Sequence, residues 1–272
     1  MNATMPDLAA LKQRMKATWE AGDFGEVAKS IESHAEDFMA RLDVGPGNDV
    51  LDIACGTGNL ALPAARAGAS VVGIDLAGNL VEQARERAKR EGLEIRFDEG
   101  DAEALPYADA EFDLCVSMYG IMFAPRPEVA TTELLRVCRP GGTIALANWT
   151  PEGFIGRMLK VLSGYVSPPP GVPSPLLWGQ DEAVRERLGD GVSALVTQRV
   201  PVWFDYPFSP ADTVDFYRRY YGPVQRAFQA LSDDDAEALD RDLVALWSEH
   251  NTADGDTTRV EAEYLEVVAT RA

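Results

Sequence analysis

The sequence predicts an open α/β sheet with a ligand pocket at the C-terminal end of its first strand. Three observations carry this. The apolar run Val50-Leu51-Asp52-Ile53 passes through Ala54-Cys55-Gly56-Thr57-Gly58-Asn59 directly into a helix. A second apolar strand, Ser70-Val71-Val72-Gly73-Ile74-Asp75, ends in an acid nineteen residues after Gly56. Strand-like and helix-like segments then alternate as far as Trp149. Alternation of this kind builds a parallel sheet, and ligands of such sheets sit outside the carboxyl ends of the strands.

The first element fixes the pocket. Glycines at 56 and 58 let backbone pass close to a ligand where a Cβ would clash. The helix that follows offers unpaired N–H groups at its start. Gly56-Thr57-Gly58-Asn59-Leu60-Ala61 also fits the dinucleotide fingerprint, a weak signal alone. Asp52 speaks for another ligand: on the strand side of the turn it would repel a pyrophosphate and suit an ammonium or sulfonium charge. Asp75 stands where an acid accepts ribose hydroxyls.

The remaining elements follow in order. Residues 7–42 predict two helices, with Leu8, Leu11, Met15 and Trp19 on one face and Val27, Ile31, Phe38 and Leu42 on the next, broken by Gly22-Asp23-Phe24-Gly25. Gly45-Pro46-Gly47 is a turn before the first strand. Pro63 is tolerated in the first turn of its helix, where its missing N–H has no intrahelical partner. Residues 80–90 form a helix with Leu80, Val81, Ala84 and Ala88 inward, a charged outer face including Glu86 and Arg90, and Gly92 as its stop. Residues 93–97 are a third strand, closed by Glu99-Gly100-Asp101-Ala102-Glu103-Ala104-Leu105-Pro106. Residues 112–117 are a fourth. A helix over 128–137, ended by Pro140, and the turn Arg139-Pro140-Gly141-Gly142 lead to a fifth over 143–147.

After Trp149 the character changes. Residues 154–165 and 181–188 predict helices around a stiff Pro-rich segment, 167–175. Residues 194–206 predict a strand broken by Pro201. Two helices over 210–231 and 233–250 precede a last alternating strand, 259–268.

The ordered set Asp52-x-x-Cys55-Gly56-x-Gly58, Gly73-x-Asp75, Gly100-Asp101-Ala102-Glu103-x-Leu105-Pro106, Phe112-Asp113 and Arg139-Pro140-Gly141-Gly142 resembles the class I S-adenosylmethionine-dependent methyltransferases. More narrowly it resembles the type 11 small-molecule group that includes the ubiquinone/menaquinone C-methyltransferases. The resemblance covers Val50 to Trp149 well and the rest loosely. It implies a Rossmann-like seven-stranded sheet with strand 7 antiparallel and helices on both faces. It further implies an N-terminal helical lid (1–44), a cofactor-binding core (45–150), a core completion with the Pro-rich loop and strand 6 (151–206), a helical cap insertion (207–256) and strand 7 (257–272). The cofactor would be S-adenosylmethionine, released as S-adenosylhomocysteine.

The same resemblance implies the site. Ala54, Cys55, Gly56 and Gly58 line the methionine part, with Asp52 supporting its amino group. Asp75 holds the ribose and Leu76 lies beneath the adenine. Asp101 accepts from the adenine amino group, and the Ala102 N–H donates to the ring. Ser117 lies beneath the sulfonium, with Tyr119 and Met122 at the substrate mouth. Helix-cap and turn roles are the competing account of Asp52, Asp75 and Asp101. Ala77 stands where the family often has a capping serine or threonine, so Asn79 or the backbone would cap the next helix. Trp19, Phe24 and His34 are lid candidates, although amphipathic packing explains the same spacing. The cap holds Phe208, Phe216, Tyr217, Tyr220, Tyr221 and Phe228, at spacings that packing alone also explains.

Transfer from a sulfonium is a direct displacement that needs alignment and exclusion of water more than acid–base groups. His34, Tyr119, Tyr220 and His250 are the candidates if the acceptor needs a base, and no spacing selects among them. An aromatic-rich cap suggests an apolar or aromatic small-molecule acceptor. A cofactor-binding member without catalysis and an NAD-dependent oxidoreductase are the competing functions.

Composition sets outer bounds. The formal charge of −19 argues against nucleic acid and anionic membrane surfaces. There is no apolar run long enough to span a membrane, and Met1-Asn2-Ala3-Thr4-Met5-Pro6 lacks the basic-then-apolar pattern of a secretory signal. Cys55, Cys115 and Cys138 have no metal-ligand spacing and suggest buried free thiols of a cytoplasmic protein, with no metal site.

Overall fold

A computed structural model describes residues 7–272. The reading of Met1 to Pro6 falls outside the described residues. The chain divides into two units.

The larger unit, Glu32–Thr150 with Pro173–Val200 and Tyr264–Ala272, carries the sheet. Its elements begin with α3 (Glu32–Ala40), β1 (Asp49–Ile53), α4 (Ala61–Arg66), β2 (Ser70–Asp75), α5 (Gly78–Glu91) and β3 (Arg96–Glu99). They continue with β4 (Phe112–Met118), a 3-10 turn (Ile121–Phe123), α6 (Pro127–Val137) and β5 (Cys138–Trp149). A second 3-10 turn (Pro175–Gly179) and α8 (Asp181–Leu188) precede β6 (Val192–Tyr206) and β7 (Thr258–Arg271). The unit boundary falls inside both of these last strands.

The seven strands among the described residues run in the order β3-β2-β1-β4-β5-β7-β6. Pairing is parallel from β3 to β5, and β7 is antiparallel to β5, with Ala147 opposite Glu266 and Trp149 opposite Tyr264. From β1 the chain steps outward to β2 and β3, then returns to place β4 on the other side of β1. Right-handed crossovers therefore put α4 and α5 on one face and α6 on the other. This reversal between β1 and β4 opens a crevice at their carboxyl ends. Leu51, Ile53, Val116, Ile144 and Leu146 are wholly buried in the sheet, each contributing roughly 1.5–3 kcal/mol.

The smaller unit holds the described residues up to Ile31, Pro151–Val172 and Pro201–Glu263. It contains α1 (Leu8–Trp19), α2 (Phe24–Lys29), α7 (Phe154–Tyr165), α9 (Pro210–Tyr220), α10 (Gly222–Ala230) and α11 (Asp233–His250). The Asp7 and Asp23 side chains cap α1 and α2 by accepting from Ala9 and Gly25 N–H groups, each at 3.0 Å. Trp19, Phe24 and Tyr221 meet with ring centroids 5.8–6.2 Å apart.

Several expectations need correction. The N-terminal region forms three helices, because Asp23 caps a new helix that takes in Phe24 and Gly25. The third strand starts at Arg96, not Leu93. α6 ends at Val137 without help from Pro140, which lies inside β5; there Arg139 to Gly142 loop out between the pairs Phe112–Cys138 and Leu114–Thr143. Pro201 does not break β6, an edge strand whose outer N–H groups need no ladder partner. Residues 207–256 form three helices, since Gly222-Pro223 restarts the chain after Tyr221. Asn79 does not cap α5: the N-cap is Ala77, with no side-chain hydrogen bond, and the buried Asn79 Oδ1 has no partner among the described residues. No helix among the described residues is long and apolar enough to cross a membrane.

Candidate active site

The crevice between the tips of β1 and β4 is built from strained backbone. Ala54 (φ 55°) and Tyr119 (φ 57°) both adopt left-handed conformations without being glycine. Each costs on the order of 1–3 kcal/mol, and such strain gathers at functional sites. The two tips touch: a Cβ on Gly120 would lie 2.6 Å from Ala54 Cβ and 2.7 Å from Ala54 O. Gly56 (φ 53°) and Gly58 (φ 85°) complete the turn, pinned by Cys55 N–H to Ile74 O at 3.0 Å and Gly58 N–H to Cys55 O at 2.8 Å.

The three acids gather at successive strand ends, and each serves local backbone. Asp52, 2% exposed, accepts from Ala61 N–H at the start of α4 (3.0 Å). Asp75 accepts from Gly56 N–H and Ala77 N–H, both at 2.8 Å, so it ties the glycine turn to the start of α5. Asp101 accepts from Glu103 N–H at 2.9 Å. Cap and turn contacts are thus present at all three. Burial pushes the Asp52 carboxyl well above its usual range and Asp75 above it, partly offset by their backbone hydrogen bonds. Leu76 and Ala102 are half-buried beside these acids.

Ser117 is wholly buried with its hydroxyl engaged. It donates to Ile53 O (2.6 Å) and accepts from Ile121 N–H (3.0 Å), which holds the post-β4 turn onto β1. Met122 is buried in that turn. Tyr119 stacks on Trp149 at 3.7 Å and meets Tyr264 edge-on at 5.7 Å. Its hydroxyl is buried without a hydrogen bond among the described residues, and burial pushes its pKa well up. Beside it, Arg41 binds Glu266 and the Tyr264 hydroxyl, and Gln198 binds Glu266 at 2.6 Å.

The candidate bases fall in both units. His34 is buried on α3, which packs on α4. Tyr220 lies in the smaller unit, with Arg219 over its ring. His250, also in the smaller unit, contacts Leu246 O through Nδ1 (3.0 Å) and Arg157 through Nε2 (3.5 Å). Cys55, Cys115 and Cys138 are buried and unpaired by disulfides.

Sequence reasoning missed the residues that brace the crevice. Arg87 belongs to the charged side of α5, yet its side chain is only 19% exposed. It donates to Thr57 O (3.0 Å), Thr57 Oγ1 (3.1 Å) and Asn59 Oδ1 (2.6 Å), and pairs with Glu32 of α3. The signal was its place three residues after Ala84, on the flank of the apolar stripe. Glu103, buried, accepts from Arg126 N–H (2.6 Å) and Nε (2.7 Å) and so anchors the 101–106 segment to the start of α6.

A methyltransferase domain family model matches residues 50–142. The uncharacterized protein Rv1405c of Mycobacterium tuberculosis is 40% identical over 259 residues, 93% of each chain. Demethylmenaquinone methyltransferase of Thermus thermophilus is 40% identical over 123 residues, 44% of this chain and 56% of that one. The crystal structure of YcgJ protein from Bacillus subtilis superposes with a TM-score of 0.61 at 18% identity, covering 88% of this chain and 98% of that one. With the reversal crevice, the glycine turn and the acids at the strand ends, these similarities place the chain in the class I S-adenosylmethionine-dependent methyltransferases.

Proposed function

We propose that this methyltransferase acts on a small-molecule acceptor and holds its cofactor in the β1/β4 crevice. The left-handed backbone at Ala54 and Tyr119, with Gly120 packed against Ala54, carries this reading. The residues present fit S-adenosylmethionine. Glycines leave backbone bare, Asp75 suits ribose hydroxyls, and the buried Asp52 suits an ammonium group. Ala54, Cys55, Gly56 and Gly58 would line the methionine part; Leu76, Asp101 and Ala102 would serve the adenine. Ser117 positions the turn that carries Tyr119 and Met122, since its hydroxyl is spent on backbone. The cofactor supplies a methyl group already activated by its sulfonium. The protein's part is alignment and exclusion of water. A phenol pushed up by burial is a hydrogen-bond donor, so Tyr119 orients an acceptor oxygen and does not act as base.

The −19 charge and the similarity to a demethylmenaquinone methyltransferase support a small molecule over nucleic acid. The test follows S-adenosylhomocysteine release with a panel of phenols, quinols, amines and carboxylic acids, and with tRNA and DNA. Turnover with a small molecule and none with nucleic acid is expected; methyl incorporation into nucleic acid alone overturns the reading.

Two variants probe the crevice. Burial raises the folded-state pKa of Asp52, so its contribution to stability is fully present below about pH 3.9 and is lost as pH rises through the raised value. Asp52→Asn keeps an acceptor for Ala61 N–H. It is expected to raise the melting temperature of the ligand-free protein by a few degrees at pH 7, with the gain vanishing in acid, and to weaken S-adenosylhomocysteine binding. Melting curves across pH check the first effect and calorimetry the second. Arg87→Ala is expected to weaken the same ligand about tenfold, ~1.4 kcal/mol, by freeing Thr57 and Asn59; an unchanged affinity would assign Arg87 to stability alone.

A further inference from the structure

Four of the buried polar atoms without a hydrogen bond among the described residues belong to three side chains of the sheet unit. They are Oδ1 and Nδ2 of Asn148, Nε1 of Trp178 and Nη1 of Arg187. Asn148 is 0% and Trp178 1% exposed. Buried polar groups are almost always partnered, so each calls for an explanation. Chain geometry brings their segments together. Gly179 lies so close to the end of β5 that a Cβ there would stand 2.0 Å from Trp149 O and 2.8 Å from Thr150 Cα. Trp178 and Asn148 are the immediate neighbours of the residues in that contact. The Arg187 guanidinium lies over the Trp178 ring, 4.7 Å from its centroid.

The chemistry of the set is specific. An indole N–H, a guanidinium N–H and an amide N–H are donors; one amide oxygen is an acceptor. Burial pushes the Arg187 guanidinium below its usual range, and Glu128 and Glu186 offset this from a distance without forming an ion pair with it among the described residues. Arg187 as a whole is half-buried, but its Nη1 is shut off from solvent, and water there would satisfy the donor without matching its charge. A guanidinium is shaped for the two oxygens of a carboxylate. A phosphate dianion would need more positive charge than one arginine brings.

We propose that Arg187, Trp178 and Asn148 form a receptor for a carboxylate. Arg187 and Trp178 donate to its oxygens, and the Asn148 amide donates to it and accepts from a neighbouring hydroxyl or N–H of the same molecule. Asn148 stands at the carboxyl end of β5, the side of an open sheet on which ligands bind. The carboxylate therefore belongs to the methyl acceptor, a step that rests on the methyltransferase reading.

The test is calorimetric titration of the full chain with acetate and benzoate, with acetamide, benzamide and inorganic phosphate as comparators. Wild type is expected to bind one of the acids at least tenfold more tightly than its amide or phosphate. Arg187→Gln and Trp178→Phe, the latter removing only the N–H, are expected to weaken the acid at least tenfold. Both should keep S-adenosylhomocysteine affinity within twofold. No binding of either acid, equal binding of amide or phosphate, or an unchanged affinity in both variants overturns the receptor. Acid binding by a protein that does not bind S-adenosylhomocysteine leaves the receptor standing and overturns its assignment to a methyl acceptor.

Discussion

Replacing Asp75 with alanine is expected to weaken S-adenosylhomocysteine binding at least a hundredfold, about 2.7 kcal/mol. The carboxylate does two jobs. Its oxygens hold Gly56 N–H and Ala77 N–H, so its loss frees both the glycine turn and the start of α5. It is also the acid placed for ribose hydroxyls. Losing two acceptors for buried donors costs on the order of 1–3 kcal/mol each, while removal of a desolvated charge returns part of that at neutral pH. Affinity and stability are therefore both expected to fall. Asp75→Asn, which keeps one acceptor, should fall between. Calorimetry beside melting curves separates the two effects; affinity within threefold of wild type in Asp75→Ala would remove Asp75 from the site.

Gly120→Ala is expected to damage the crevice directly. Its φ is ordinary, so the problem is space alone. The new methyl would meet both the side chain and the carbonyl oxygen of Ala54, and backbone cannot rotate away as a side chain can. The tips of β1 and β4 must separate, at about 1–3 kcal/mol of overpacking and with loss of the crevice. At least a tenfold loss of S-adenosylhomocysteine affinity should accompany a lower melting temperature. Gly164→Ala in the last turn of α7 is the control: nothing lies within 4 Å of the added methyl, so it should leave both readouts close to wild type.

Much of the sheet was legible because its signals are local. An apolar run with an acid at or next to its end marks β1 and β2 to within a residue. The Gly92 stop of α5 appears as a left-handed C-cap. Elements whose ends depend on distant contacts were misread. β3 pairs with β2 only from Arg96, opposite Val72, so apolarity from Leu93 onward misplaced its start. Pro201 was taken for a break because edge position cannot be seen without the strand order. At the site, the residue types at strand ends were readable, but their partners were not. Nothing in the spacing shows that the Ser117 hydroxyl is consumed by Ile53, or that Arg87 reaches back thirty residues to Thr57. Asn148, inside an apolar strand, gives no local sign that its amide lacks a partner.

The account turns on the β1/β4 crevice being an S-adenosylmethionine site and not a dinucleotide site. Side-by-side calorimetric titration of the wild-type chain with S-adenosylhomocysteine and NADH tests this most directly. Saturable binding of S-adenosylhomocysteine with no binding of NADH is the expected result. Binding of NADH without S-adenosylhomocysteine would contradict the account, because Asp52 would then be facing the pyrophosphate it should repel.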